Sequence, residues 1–357
     1  MKGLVLVAGK GTRLRPLTHT GPKHLIPLAG KPMMQYAIEH LVDAGIRNIG
    51  IVVGYKKEKI IDFFKDGSKF NARFDYIIQE PQLGIAHAIK VARNYIGDEP
   101  FIVYLGDNIL REGIRQYVKE FESSDLDAMI LLAWVKDPTR FGVVEIKDGK
   151  IVRLVEKPKV PPSNYALVGV YFFRESIFEA IEHLKPSWRG EFEITDAIQW
   201  LIDNGHKVHY EIIKGWWKDT GRPEDLLEAL YLILDEINHH IDGEIENNAD
   251  IIGRVHIKRG TIIKSGAIIR GPVYIGENCI IDSDTYIGPY TSIENNVKIS
   301  GGEISNSLIL DNCFIELSEE DRIIDSIIGS GSIIKKSNKK RRRGLKLIVG
   351  ETSFVHL

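Results

Sequence analysis

A chain of 357 residues is long for one compact core and comfortable for two domains. With 43% hydrophobic and 27% charged residues the composition is that of a globular protein, and a formal net charge of −2 gives no reason to expect nucleic acid as a partner. The opening MKGLVLVAGKG lacks the apolar length of a signal peptide, and no apolar stretch approaches the roughly 20 residues of a membrane helix, so a cytoplasmic protein with no membrane partner is expected.

The first two-thirds of the chain alternate strand and helix signals. Residues 3–7 are a short apolar run ending in a glycine turn, which predicts a buried strand. Residues 32–44 read as an amphipathic helix, with Pro32 at its start and Gly45 just past its end. A strand at 49–53 and a helix at 57–64 follow, then a strand containing 76–78 and a helix at 85–95. The apolar strand 101–105 stops at Gly106-Asp107-Asn108. This alternation predicts a mostly parallel sheet with helices on both faces, an α/β fold of the Rossmann-like kind. From Ala128 the pattern is more mixed. Residues 143–146, the turn Asp148-Gly149 and 151–155 read as a hairpin, 167–173 as a strand, and 193–203 and 225–237 as helices. The first domain is expected to span residues 1–240, with His239-His240 leading into Asp242-Gly243 and a second domain at 244–357.

The last third is an internal repeat. Isoleucine occupies 251, 257, 263, 269, 275, 281, 287, 293 and 299, a strict period of six. Four residues after each of the first eight stands a small or β-branched side chain: Val255, Thr261, Ala267, Val273, Cys279, Thr285, Thr291 and Val297. A six-residue period with one large and one small inward position predicts a parallel β-helix. The phase slips after Ile299 and resumes near Ile309, Cys313 and Ile315, then near Ile328 and Ile334. Two cysteines are too few for a disulfide framework and fit no metal spacing. Both fall in the small interior column, which makes them packed thiols. The basic run 335–343 reads as a solvated loop. The flat outer faces of a β-helix suit subunit contact, so this domain is expected to serve assembly and stability, with a homo-oligomer as the outcome.

The chemistry sits at the front. Gly9-Lys10-Gly11-Thr12-Arg13-Leu14 follows the first strand, and a glycine-rich turn between a first strand and a helix presents backbone N–H groups to a phosphate. It is not a Rossmann fingerprint, because position 14 is Leu, nor a P-loop, because the terminal Gly-Lys-Ser/Thr is absent. The longer segment GKGTRLRPLTHTGPKHLIPLAGKPM pairs that turn with two cations, Arg13 and, ten residues on, Lys23. A triphosphate carries about four negative charges and gains more at the transferred phosphorus, so fixed cations beside N–H donors are what such a site requires.

This segment resembles the signature of the sugar-1-phosphate nucleotidylyltransferases, and the resemblance extends over residues 1–240. It implies nucleotide binding by Ala8, Gly9, Gly11, Thr12 and Arg13, with Arg13 and Lys23 catalytic. Gln79-Glu80-Pro81 with Leu83-Gly84-Ile85-Ala86-His87-Ala88 is similar to the family's base-recognition segment, implying that Gln79 and Gly84 read the base. Tyr104-Leu105-Gly106-Asp107-Asn108 resembles a strand-end motif whose Asp holds Mg²⁺ and meets the nucleotide. Trp217-Lys218-Asp219-Thr220-Gly221 matches the segment giving a second metal carboxylate. The implied metal ligands are Asp107 and Asp219. Segments around Gly142, Glu156-Lys157, Val168 and Arg189-Gly190-Glu191 resemble the sugar pocket. They imply sugar contacts from Asn108, Gly142, Glu156, Lys157, Val168 and Glu191, with Lys157 on the sugar phosphate.

Within the family the strings Gly-Asp-Asn, Ala-Ile-Gln-Trp-Leu-Ile-Asp and Trp-Lys-Asp-Thr-Gly are similar to the branch that joins dTTP and glucose 1-phosphate, in its longer form with a left-handed β-helix. The implied cofactor is Mg²⁺ and the implied partners are dTTP and glucose 1-phosphate. Three alternatives stand beside this: a UTP-using uridylyltransferase, a bifunctional enzyme whose β-helix also transfers acetyl groups, and a non-catalytic regulatory subunit. Acetyl transfer needs a basic side chain at a cleft, and the only histidine in the clear repeat is His256. A regulatory subunit ordinarily loses charged site residues, and none of the expected ones is missing.

Overall fold

The computed structural model describes residues 1–335 and 344–356, and the chain divides into two compact units. Met1–Lys10 and Met33–Asp219 form the first, Gly11–Pro32 and Thr220–Leu357 the second. The contacts therefore divide the chain differently from a boundary at 240–244: the helix Pro223–Asp235 and the segment Gly11–Pro32 go with the repeat. No helix among the described residues is long and apolar enough to cross a membrane.

In the first unit, Lys2–Leu6 pairs in parallel with Asn48–Val53 on one side and Phe101–Leu105 on the other, and Asn48–Val53 pairs in parallel with Arg73–Ile78. Beyond Phe101–Leu105 the sheet turns antiparallel through Tyr165–Phe173, which also pairs with Ala128–Trp134 and meets Gly142–Lys147. The expected mostly parallel sheet thus has a parallel half and an antiparallel half. The connections explain the division. Helices Met33–Asp43 and Lys57–Phe64 carry the chain between parallel strands, whereas the later strands include a hairpin. That hairpin places Lys147 opposite Lys150, so its turn is the two residues Asp148 and Gly149, both at positive φ (50° and 73°). Met33–Asp43 buries Met33, Met34, Ala37, Ile38 and Leu41, one face of a helix at 3.6-residue spacing. The helix expected over 85–95 is two pieces, Ile85–Val91 and Arg93–Ile96.

The register fixes where the site must form. Leu6 lies beside both Val52 and Leu105, and Val53 beside Ile78, so the residues leaving these strands emerge along one sheet edge. They are Ala8-Gly9, Gln79 and Gly106-Asp107. Ligands gather at the carboxyl ends of such strands.

In the second unit the repeat forms three parallel sheets, each built from one strand per coil. Val255 pairs with Val273 and Val273 with Thr291, so a full coil takes 18 residues, three steps of six. The isoleucines of the six-residue column from Ile257 to Ile299 are wholly buried, with the small column between them. Cys279 and Cys313 are free and buried, and burial pushes each thiol up to about 11, as packed thiols require. The phase slip comes from coil length: Ile299 pairs with Ile315 and Ile293 with Ile309, whereas Ile304 pairs with Ile323. Corners absorb the difference, and Asn278, Asp284, Asn296, Asn312 and Asp325 sit there at positive φ. The basic run 335–343 lies outside the described residues apart from Lys335.

One outer face differs from the other two. Its outward residues Tyr274, Ser292, Leu308 and Ile327 follow one another in register, and all four are buried. The chain's own Gly11–Pro32 segment lies on this side: a Cβ built at Gly30 would fall 2.1 Å from the Tyr274 hydroxyl, and one at Gly350 would fall 3.2 Å from Pro16. Tyr231 of the helix Pro223–Asp235 stacks on Tyr290, ring centroids 3.7 Å apart.

Candidate active site

The short strand Asn108–Leu110 pairs antiparallel with Trp217–Asp219, which sets Asp219 directly opposite Asn108. Of the two aspartates expected at a metal, Asp219 thus stands across the ladder from the residue that follows Asp107 in the chain. Asn108 is 3% exposed and its amide makes three hydrogen bonds. Its Nδ2 donates to Asp107 Oδ1 at 2.9 Å, and its Oδ1 accepts from Trp217 Nε1 at 2.7 Å and from Gly169 N at 3.3 Å. Asn108 therefore fixes the Asp107 carboxylate. The buried Tyr171 phenol is raised far above its usual range by burial first, then by the charges of Glu156, Asp107 and Asp219. The charges of all three carboxylates thus act on one phenol. Two carboxylates, one oriented by an amide, fit a hard divalent cation that keeps several waters or phosphate oxygens. A separate trio, Glu120, His209 and Glu211, brings its ligand atoms within 4.8 Å of one another, but it contains neither aspartate.

The base-recognition segment is tightly pinned. Gln79 is 4% exposed; its Nε2 donates to Gly84 O at 2.9 Å and meets His87 Nδ1 at 3.2 Å. Burial first, then Lys90, depresses the His87 pKa, which favours the neutral ring able to accept there. Both Gln79 N–H donors are thus committed, which leaves Oε1 as the recognition atom. Gly84 sits at φ 98°, and a Cβ there would fall 2.7 Å from Phe192 O, so only glycine fits. Phe192 N donates to Leu83 O at 2.8 Å and Ala86 N to Phe192 O at 3.2 Å, which ties this segment to 189–196.

The sugar segments meet around Glu156. Its Oε1 lies 3.1 Å from Lys157 Nζ and 3.3 Å from Arg189 Nη1, and Arg189 also reaches Glu191 at 2.9 Å and Glu193 at 3.3 Å. Gly142 pairs with Glu156 across the hairpin. Lys157 takes a positive φ of 43° and its N–H donates to Phe141 O at 2.9 Å. Val168, expected at the sugar, is wholly buried. The ladder to Ala128–Trp134 shifts register between Leu167 and Tyr171, beside Asn108. Burial, then Glu156, raises Asp196. Arg189 and His87 are functional candidates not picked out by sequence reasoning. Both lie inside the base and sugar segments of the sequence, but no spacing rule marks one arginine as the bridge among three carboxylates.

Of the remaining residues, Ala8 is buried and its carbonyl accepts from Tyr55 N at 3.3 Å, while Gly9 is exposed. Gly11, Thr12, Arg13 and Lys23 lie in the second unit. After Gly11 the chain makes a 3-10 turn, Thr12–Leu14, where a helix was expected; Arg15 is extended and Pro16 follows, which ends the turn. Thr18 Oγ1 donates to Gly11 O at 2.8 Å, and the Lys23 stem passes 3.3 Å from where a Cβ at Gly11 would stand. Turn and lysine are thereby one packed unit, with Lys23 8% exposed. The Arg13 guanidinium lies over Gly221, 3.1 Å from a Cβ built there, two residues beyond Asp219 in the chain.

Compared with known families, residues 2–236 match the model described as nucleotidyl transferase. The chain belongs to the nucleotidyl transferase family. Residues 269–354 match the GMPPB C-terminal domain. The chain is 45% identical over 359 residues to the low-salt glycan biosynthesis nucleotidyltransferase Agl11 of Haloferax volcanii, covering 100% of both. It is 43% identical over 339 residues to the glucose-1-phosphate thymidylyltransferase of Streptomyces antibioticus, covering 94% of each. It is 40% identical over 334 residues to the bifunctional protein GlmU of Methanococcus maripaludis, covering 92% of this chain and 78% of that one. This nucleotidyl transferase is an enzyme that acts on sugar 1-phosphates.

Proposed function

We propose that this enzyme transfers a thymidylyl group from dTTP to glucose 1-phosphate, giving dTDP-glucose and pyrophosphate. The observation that carries the reading is the ladder joining Asn108–Leu110 to Trp217–Asp219, which sets Asp219 opposite Asn108, the residue whose amide holds Asp107, at the strand ends where a nucleotide would lie. A sugar-phosphate oxygen attacks the α-phosphorus in line, and the bond to the β-phosphate breaks with its electron pair leaving on pyrophosphate. Arg13 and Lys23, with the N–H groups of Gly9, Gly11 and Thr12, hold the triphosphate. Lys157 holds the sugar phosphate, and Glu156, Glu191, Gly142, Asn108 and the Val168 backbone border the hexose. Gln79 Oε1 accepts from the base, which favours a ring presenting N3–H, as thymine and uracil do and cytosine does not. Asp107 and Asp219 would hold Mg²⁺, which when bound neutralises phosphate charge.

His256, the residue an acetyltransferase reading would use, sits between His240 (5.3 Å) and Tyr274 (5.7 Å), and burial lowers its pKa. That stack favours a packing role and a single activity. The test is a matrix of dTTP, UTP, dCTP and purine triphosphates against hexose 1-phosphates, with acetyl-CoA as a separate arm. The dTTP and glucose 1-phosphate pair should give the highest kcat/KM. A higher value for UTP or for another hexose would overturn the substrate assignment. Light scattering reads the homo-oligomer that belongs to the same proposal.

A further inference from the structure

Glu294 is a deeply buried acid that the proposed reaction does not use. It follows the strand Thr291–Ile293 and is 1% exposed. Its Oε1 accepts from Ser292 Oγ at 2.8 Å and from the backbone N–H of Gly30 at 3.3 Å, 264 residues away in sequence. Gly30 belongs to a tight hairpin: Pro27–Leu28 pairs with Lys31–Pro32, Leu28 opposite Lys31, and the turn residues Ala29 and Gly30 take φ 51° and 81°. Tyr274, one coil before Ser292 on the same face, lies against this turn, leaving no room for a side chain at Gly30. All these groups belong to the second unit. The hairpin closes the Gly11–Pro32 segment four residues after Lys23, and the chain then enters the helix Met33–Asp43. A carboxylate buried in a β-helix thus grips the far end of the segment whose near end carries the glycine turn.

We propose that Glu294 is a positioning residue, holding the phosphate-binding segment Gly11–Pro32 in its working conformation through the Gly30 N–H. The role rests on the function proposed above only for what the segment binds; the latch itself does not depend on it. Replacing the acceptor frees the Gly30 turn, and with it the placement of Lys23 relative to Gly11.

The latch carries a pH dependence. Burial pushes the Glu294 carboxyl up to about 7, against the hydrogen bond from Ser292, and the Asp311 carboxylate adds to the rise. The titratable groups facing it are Asp311, the Tyr274 phenol and the Cys279 thiol, the last two kept neutral by burial; the charged residue of the turn is Lys31. Opening the turn solvates the acid and returns it toward the usual carboxylate range. The closed state therefore binds the proton more tightly, and closure is strongest below the ordinary Glu range. It weakens as pH rises toward 7 and levels off above. Glutamine mimics the protonated acid and should stay latched throughout.

The experiment is hydrogen exchange of the amides of residues 26–32 in the full-length, nucleotide-free protein between pH 5 and 9, for wild type, Glu294→Gln and Glu294→Ala. Pyrophosphate-release kinetics are run in parallel. We expect Glu294→Ala to lower protection of the turn about tenfold, on the scale of one lost hydrogen bond. It should lower kcat/KM for the triphosphate by a similar factor, mostly through KM. Glu294→Gln should restore both. The ratio of protection in Glu294→Gln to that in wild type should rise about tenfold or more from pH 5 to pH 8. Unchanged turn protection in Glu294→Ala, or full kcat/KM with an opened turn, overturns the positioning role. Should Glu294→Ala fail to fold, a pH-independent ratio of Glu294→Gln to wild type overturns it instead. A latch seen by exchange in a protein that prefers another nucleotide refutes only the substrate assignment.

Discussion

Asn108 offers the most direct test of how the site is held. One buried amide serves three partners: it donates to Asp107 and accepts from the Trp217 indole and the Gly169 N–H. Asn108→Ala leaves those two donors buried without an acceptor. Each such group costs about 1–3 kcal/mol, so the variant should lose about 2–5 kcal/mol of stability, the lower end if a water fills the space. Urea unfolding followed by tryptophan fluorescence reads this. The Asp107 carboxylate loses its orienting donor at the same time, so kcat should fall by about tenfold or more in the folded fraction. Asn108→Asp separates the two effects. It keeps an acceptor for Trp217 and Gly169, so it should unfold nearer the wild-type midpoint. It also sets a second carboxylate against Asp107, which should alter the Mg²⁺ requirement and the pH profile of activity. An Asn108→Ala protein with wild-type midpoint and wild-type kcat would show that these hydrogen bonds hold nothing in place.

Asp107→Asn and Asp219→Asn should fold normally and each lose roughly 10²–10³-fold in kcat, on the scale of one strong transition-state stabiliser. Excess EDTA should stop the wild type, and persistent turnover there removes the metal from the mechanism. Gln79→Ala should raise KM for dTTP by an amount worth roughly 1–3 kcal/mol and blur selection against purines, read in the nucleotide matrix. Gly84→Ala forces a side chain into φ 98° with Phe192 O only 2.7 Å away, a strain of about 1–3 kcal/mol. It should displace the base segment and raise KM for the nucleotide without changing the Mg²⁺ requirement; equal KM values would mean the segment adapts freely.

The β-helix was readable because an interior position recurs at every strand and tolerates few side chains: eight isoleucines from Ile257 to Ile299 are wholly buried. The later phase slip was not interpretable from sequence, since coil length is set at corners and only pairings such as Ile304 with Ile323, Ile309 with Ile328 and Ile315 with Ile334 reveal where the chain grew. The alternation of strands and helices located the parallel half of the first sheet. It could not reveal that Tyr165–Phe173 enters antiparallel, because strand direction depends on connections rather than on composition. A strand end marked Asp107 and the resemblance marked Asp219, while the pairing of Asn108 with Asp219 lives in a ladder between segments more than a hundred residues apart. The three-way grip of Arg189 on Glu156, Glu191 and Glu193 is likewise a tertiary fact.

The contacts of Gly11–Pro32 bear on one expectation about the repeat. Read as an assembly and stability element, the β-helix could be removed after about residue 240 with more effect on oligomer size and melting than on KM. In the structure, that cut removes Tyr274 and Glu294 from the Gly30 turn and Gly350 from Pro16. It also takes away Tyr290 from Tyr231 and Arg254 from Asp235, so the helix Pro223–Asp235 loses partners as well. A segment that packs on a removed surface must find other contacts or fluctuate, and Lys23 sits within it. The truncated protein should therefore show a KM for the triphosphate raised by about tenfold or more, with kcat also lowered, even where it folds and is measured below its melting transition. The comparison that decides is with Glu294→Ala in the full chain. If the two share the same direction of change in KM while only the truncation changes oligomer size, the repeat supports the site through this segment. A truncated protein with wild-type KM and altered oligomer size would return the β-helix to assembly alone.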